Sequence, residues 1–371
     1  MTHFHIEHIN DVLPHVEGRK DFVVAHKDGY SVIDYVFAVD DTFDHPARVE
    51  CRGIKFAPEG TILARPLHKF MNIGQTPDTQ PDKVDFGQPH IIMDKLDGSM
   101  IHPAIVNGEV VFMTRMGRTD VARKAERHLT RDLMYGARDW IEAGITPILE
   151  WTAPDNRIVV RYENSALTLL AARENETGEY LDIGAASDVA DSLGVPLVRH
   201  HNPRHTSATD FLAYARAIQG SEGFVVRFDN GLWVKAKGDD YVLKHRAKDG
   251  INLEKNLLAL VMEGGLDDVL PLLDAADALE ATHYAVKVEL GIADTVEKLT
   301  AIVAANANMP QKDFALSVVP TLHPAWRPLA FMVRSGRDPR AVVRARIAAN
   351  TNSQADVDEC RILHGATWNA A

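Results

Sequence analysis

Asp94-Lys95-Leu96-Asp97-Gly98-Ser99 follows the apolar run Ile91-Ile92-Met93. An apolar run closed by Asp-Gly predicts a strand that ends in a tight turn, so Lys95 is delivered to the rim of a sheet, facing a cleft. A lysine amine attacks only when unprotonated, and a working nucleophile needs burial or neighbouring cations to lower its pKa. A surface turn with a solvated lysine is the plainer reading of Asp97-Gly98. Four specified residues, Lys95, Asp97, Gly98 and Ser99, ask for more than a turn.

Outward from this stretch, short β-rich runs recur between Phe22 and Lys237. Turn signals separate them at Asp28-Gly29, Asn107-Gly108, Pro154-Asp155-Asn156, Thr177-Gly178 and Asn230-Gly231. This pattern predicts antiparallel sheet. Helices are expected at about 119–143, 184–193 and 208–218, opening near Thr119, Ser187 or Thr209. After Asn252 the strand signals stop, and Leu257, Leu258, Leu260 and Val261, then Tyr284, Val286 and Leu290, recur at helical spacing. The expected fold class is α+β, with an antiparallel-sheet domain over 1–248 followed by an all-α domain over 249–371.

Trp233-Val234-Lys235-Ala236-Lys237 alternates, so both lysines point to one face of a strand. Two cations on one face read either as an edge strand protected from aggregation or as one wall of an anion site. If Asn230-Gly231 form a two-residue type I′ turn, Val226 lies opposite Lys235, Phe224 opposite Lys237, and Glu222 joins the lysines on their face. A three-residue turn at Asp229-Asn230-Gly231 would place Glu222 on the other face. In Pro147-Ile148-Leu149-Glu150-Trp151, Leu149 and Trp151 look buried and Glu150 can face a cleft or solvent.

The net charge of −12 in 371 residues argues against a uniformly basic nucleic-acid coat, so any RNA contact must be a local patch. Arg334, Arg337, Arg340, Arg344 and Arg346 form one basic stretch, either a solvated helical face or a backbone-binding patch. Cys51 and Cys360 make no disulfide framework or zinc site, which suits a reducing cytoplasm. Met1-Thr2-His3-Phe4-His5 begins no signal peptide, and no apolar run is long enough to span a membrane. His200, His201 and His205 are close, but Pro203 denies them a helical face, so no metal site is expected there.

Lys-x-Asp-Gly-Ser at Lys95 to Ser99 is similar to motif I of the covalent nucleotidyltransferases, which include DNA ligases, RNA ligases and mRNA-capping enzymes. Glu50-Cys51-Arg52-Gly53-Ile54, Arg65-Pro66-Leu67-His68-Lys69-Phe70, Ala153-Pro154-Asp155-Asn156-Arg157-Ile158-Val159 and Arg173-Glu174-Asn175-Glu176-Thr177-Gly178-Glu179-Tyr180 resemble the tRNA-repairing RNA ligase 1 family of T-even phages. The resemblance runs from about Tyr35 to Tyr241. It implies ATP and Mg2+ as cofactors, and RNA, specifically broken tRNA, as partner. It also implies a monomer in a bacterial or phage-infected cytoplasm, and joining of 5′-phosphate and 3′-hydroxyl ends through lysyl-AMP and adenylylated RNA.

In the residue roles that the resemblance implies, Lys95 is the nucleophile, and Tyr35, Arg52, Lys69, Glu150, Lys235 and Lys237 contact ATP. Glu222 and Asp267 hold the metal. Two departures from the family pattern stand out: Thr114-Arg115-Met116 where a functional lysine is expected, and Met71 where a second aromatic is expected. DNA ligases and capping enzymes normally place a β-rich OB domain after the last nucleotide motif, whereas this chain turns helical. A silent RNA-binding module on the same scaffold should have lost Lys95, Glu222, Lys235 or Lys237, and all four are present. The helical domain is expected to select the RNA.

Overall fold

The structure is a computed structural model that describes residues 4–202 and 204–368; the readings resting on Met1 to His3 and on Pro203 lie outside the described residues. It divides into two compact units, Met1–Val242 and Leu243–Ala371. The division falls six residues before the 248/249 boundary expected from the sequence, inside the helix Asp239–Asn252.

Three sheets build the first unit. Strands β1 (Phe22–Lys27), β2 (Tyr30–Tyr35), β3 (Arg52–Phe56) and β4 (Ile62–Ala64) pair in order. The short β5 (Met71–Asn72) and β6 (His90–Lys95) follow, then β7 (Ser99–Val106), β8 (Glu109–Met113), β9 (Ile145–Thr152) and β10 (Ala166–Glu174). The last strands are β11 (His200–His201), β12 (Gly223–Phe228) and β13 (Trp233–Lys237). The second sheet has the order β10-β9-β7-β8 and the third β11-β6-β12-β13-β5. Pairing between strands is antiparallel as expected, except that β13 and β5 run parallel.

The second and third sheets face each other across a core of Met93, Met100, Ile148, Val225 and Trp233, and alternation in each strand sends the other residues outward. On the outer face of the second sheet, Leu149, Trp151 and Leu169 are covered by helices Asp120–Glu126, Arg131–Glu142 and Ile183–Leu193. Helix Ala208–Ala217 covers Ile92, Phe224 and Val226 behind the third. The expected single helix over 119–143 is two, each with its own threonine cap: Thr119 accepts from Ala122 N and Thr130 from Leu133 N. The next two helices are capped by Asp182 and Ser207 rather than by Ser187 or Thr209, because the capping oxygen must precede the first turn.

A buried ion cluster ties the first sheet to the second. Glu50 accepts from both Arg65 and Arg173, and all three side chains are almost fully removed from solvent. Arg65 also donates to the carbonyls of Asn175 and Glu176, and Arg173 to those of Pro66 and Gly178. Buried charge is tolerable only when paired and hydrogen-bonded in this way. Glu50 is also two residues before Arg52, so the cluster fixes the start of β3.

The second unit is helical throughout its described residues, and its long helix Ala275–Ala305 packs Tyr284, Val288, Ile292 and Leu299 into one apolar core. Glu254, buried in that unit, accepts from Arg361, Gln354 and Tyr284. Among the described residues no helix is long and apolar enough to cross a membrane.

Candidate active site

Lys95, Gly223 and Lys237 sit side by side on one rung of the third sheet, and Met93, Val225 and Lys235 form the next rung. Successive odd residues share a face, so the three lysines line one wall of a cleft of about 800 Å³. That volume suits a small-molecule site. Lys95 therefore stands beside Lys235 and Lys237 on the same sheet rather than across the cleft from them.

The hairpin register differs from the two-residue-turn expectation. Val225 is opposite Lys235 and Gly223 opposite Lys237, which leaves a three-residue turn at Asp229, Asn230 and Gly231. Strict alternation in this register would turn Glu222 away from the lysines. Glu222 instead accepts from Lys95 at 2.6 Å and from Lys237 at 2.9 Å. It precedes the first ladder residue, and Gly223 has φ +146°, a backbone state side chains resist. A Cβ at Gly223 would strike the Ala236 carbonyl and the Lys237 Cα. Glycine thus lets the strand approach β13 closely while Glu222 turns to the lysine side.

The opposite wall comes from the second sheet. Glu150 is only 8 % exposed and lines the cleft. Its strand is buried on both faces, not half-buried, and the cleft is the side to which Glu150 is exposed. Burial pushes its carboxyl up to about 7, with Glu222 adding to the rise while Lys95 opposes it. Gly98 N donates to Glu150 Oε1 at 3.1 Å, and a Cβ at Gly98 would collide with the Trp151 carbonyl. The turn after Lys95 is therefore packed directly on β9.

Asp97 anchors that turn. Its Oδ2 accepts from Val159 N and Val160 N, both at 2.7 Å, and its Oδ1 from the Tyr241 hydroxyl at 2.7 Å. The carboxylate is 1 % exposed and fixes the loop after Asn156 to the Lys95 turn. Asn156 reinforces the junction through Ser99 and the Trp151 carbonyl.

Tyr35, Arg52 and Lys69 come together at the edge of the first sheet. Lys69 Nζ donates to the Tyr35 hydroxyl at 3.2 Å and lies over its ring, while Arg115 stacks on the ring at 4.4 Å. Burial raises the Tyr35 phenol, but Lys69 and Arg115 outweigh it and leave the group below its ordinary value. Arg52 lines the cleft, and its buried Nη1 has no hydrogen-bond partner. Leaving a buried guanidinium N–H unsatisfied is costly, and a phosphate oxygen in the cleft would satisfy it. Lys235, crowded by burial and by Lys69, Lys95 and Arg52, is pushed down to about 7.

Arg115, which stands where the family pattern has a functional lysine, lines the cleft while pairing with Asp34 at 2.8 Å. Lys55, fully buried, holds the turn carrying Arg115 by donating to the Thr114 and Arg115 carbonyls and contacting His102. Burial drives both Lys55 and His102 well below their ordinary values. No sequence signal marks a core lysine. Trp233 was accessible, because the alternation that unites Lys235 and Lys237 also puts Trp233 on the cleft face, where it lines the apolar end with Phe70 and Val225.

Asp267 lies in the second unit, on the short helix Leu266–Val269, and the other eight candidate residues are in the first. Among the described residues no group of three or more histidine, cysteine or acidic side chains could by itself hold a metal. The basic stretch is largely engaged within its own unit: Arg340 and Arg344 pair with Glu289, and Arg334 donates to the Asn306 and Met309 carbonyls.

Two facing sheets with a lysine at the rim of the cleft between them form the candidate site. The chain belongs to the RNA ligase family of the T4 RNA ligase 1 type, whose model matches residues 50–250. A Thermovibrio ammonificans protein named as a candidate RNA ligase is 34 % identical over 248 residues, covering 64 % of each chain. RNA ligase 1 of bacteriophage TS2126 is 29 % identical over 245 residues, covering 62 % of this chain and 60 % of that one. The chain thus spans somewhat under two thirds of the length of these relatives. The solved structure of an archaeal ATP-dependent RNA ligase overlays with a TM-score of 0.47 at 17 % identity over 78 % of each chain.

Proposed function

We propose that this protein is an ATP-dependent RNA ligase that joins 5′-phosphate and 3′-hydroxyl ends, with broken tRNA as its RNA and a monomer as its working form. The observation that carries the reading is the shared face of Lys95, Lys235 and Lys237, in a cleft that Arg52 also lines.

In this reading Lys95 attacks the α-phosphorus of ATP, the bond to pyrophosphate breaks, and a lysyl-AMP phosphoramidate forms. Lys235, Lys237, Lys69 and Arg52 bind the triphosphate and the charge that develops on it. The base enters the apolar end of the cleft at Phe70, Val225 and Trp233 beside Tyr35, and Glu150 accepts from ribose hydroxyls. AMP then passes to an RNA 5′-phosphate. Attack by the 3′-hydroxyl seals the strand and releases AMP.

Magnesium is commonly held by one or two carboxylates together with substrate phosphates, and Glu222 fits that donor set, with Asp267 as the further candidate. When bound, the ion neutralises phosphate charge and orients the leaving group. The second unit is assigned to choosing the RNA, since every residue lining the cleft precedes it. Incubation with α-labelled ATP and magnesium tests the reading: acid-stable label on the chain supports it, and an unlabelled chain overturns it.

A further inference from the structure

Between residues 115 and 131 the chain carries six arginines and lysines against two acids, in a protein whose net charge is −12. This local reversal of sign begins at the cleft itself, because Thr119 and Val121 line it and open the helix Asp120–Glu126. Arg123 and Arg127 are four residues apart, so they share one side of that helix and repel each other. Arg123 has only a 3.8 Å approach to the fully exposed Asp120. Among the described residues Arg127, exposed at the end of that helix, has no carboxylate partner. Self-stabilisation does not explain these placements.

A second segment joins the same surface. Lys124 reaches across to Asp155 at 3.2 Å, and the chain continues from there to the Val159 and Val160 amides held by Asp97. Arg161 follows immediately, exposed and without a carboxylate partner among the described residues. The cations therefore extend outward from the turn that carries Lys95.

We propose that this surface, with Arg123, Arg127 and Arg161 as its anion contacts, docks the backbone of a 5′-phosphorylated RNA strand whose end enters the cleft at Lys95. The inference rests on the ligase reading above and assigns the RNA a path on the first unit. Charge complementarity selects a polyanion, and continuity with the cleft selects the strand being activated. The arginines of the second unit that pair with Glu289 are poorer candidates, since their charge is already matched.

The test uses the full chain with Arg123→Glu, Arg127→Glu and Arg161→Glu combined, and the corresponding triple alanine variant as a milder control. Binding of a short 5′-phosphorylated oligoribonucleotide is measured without ATP across a salt series, and lysyl-AMP formation is measured without RNA. Loss of three phosphate contacts should flatten the log-log salt slope by about 2. It should also weaken binding at low salt at least about tenfold, while label incorporation stays within about twofold. Unchanged affinity and slope in both variants would overturn the proposal. Absence of lysyl-AMP in the unmodified protein would remove the ligase reading alone, since the RNA measurement does not depend on it.

Discussion

Lys95 Nζ and Glu222 Oε2 lie 2.6 Å apart, and Glu222 bridges simultaneously to Lys237. Here the Lys95 amine is engaged by a carboxylate rather than aimed at a phosphorus, so this arrangement is a resting one. In the proposed reaction the triphosphate and a divalent cation would provide competitors: phosphate oxygens for the two lysines and the cation for the carboxylate. Glu222→Gln should therefore weaken metal-dependent labelling more than tenfold, about 1.4 kcal/mol or more in the barrier. Raised magnesium should recover part of the loss. A variant with unchanged metal dependence would remove Glu222 from the metal site.

Lys235 is expected to take up a proton when ATP binds. Burial and the neighbouring cations push its amine down to about 7, so at pH 8 it is mostly neutral. Triphosphate oxygens favour the charged form and raise it again. Calorimetric titration at pH 8 in buffers of different ionisation enthalpy should show uptake approaching one proton, and Lys235→Met should abolish most of it. Equal heats in all buffers would contradict the assignment.

Glu150 shapes stability against pH. Its folded value near 7 stands above the ordinary 4.5, so the folded state binds more protons between those limits. The resulting stabilisation is complete below about 4.5 and is lost as pH rises through about 7. Between pH 5 and 8 the melting temperature of Glu150→Gln should fall less than that of the unmodified protein. Parallel profiles would show that the carboxyl is not perturbed.

Gly223→Ala should destabilise the protein by about 1–3 kcal/mol through overpacking against β13, and should impair labelling by moving Glu222. Thermal melting and labelling on the same sample check both. A fully stable, fully active variant would mean that Glu222 reaches the lysines by some other route.

That glycine also marks where the sequence stopped being legible. The Lys95 strand and turn, the shared face of Lys235 and Lys237 and the helical last third follow from alternation and spacing. The hairpin register did not, because Asn230-Gly231 fits both a two-residue turn and the end of the observed three-residue one. Glu222 meets the lysines because Gly223 breaks the alternation on which the argument relied. Asp97 reads as a turn former, yet its carboxylate holds amides more than sixty residues away. Charged residues are seldom fully buried, yet Arg65, Arg173 and Lys55 are. Their partners are carbonyls and side chains brought together only by tertiary folding, and local pattern carries no trace of such pairings.

The central claim is that Lys95 carries the nucleotide. Its most direct test is peptide mapping after reaction with α-labelled ATP and magnesium, alongside Lys95→Ala and Lys95→Arg. The account predicts acid-stable AMP on the peptide containing Lys95. It also predicts no label on either variant, since a guanidinium stays protonated and cannot attack. Label at normal yield in Lys95→Ala, or AMP mapped to another residue, would contradict it.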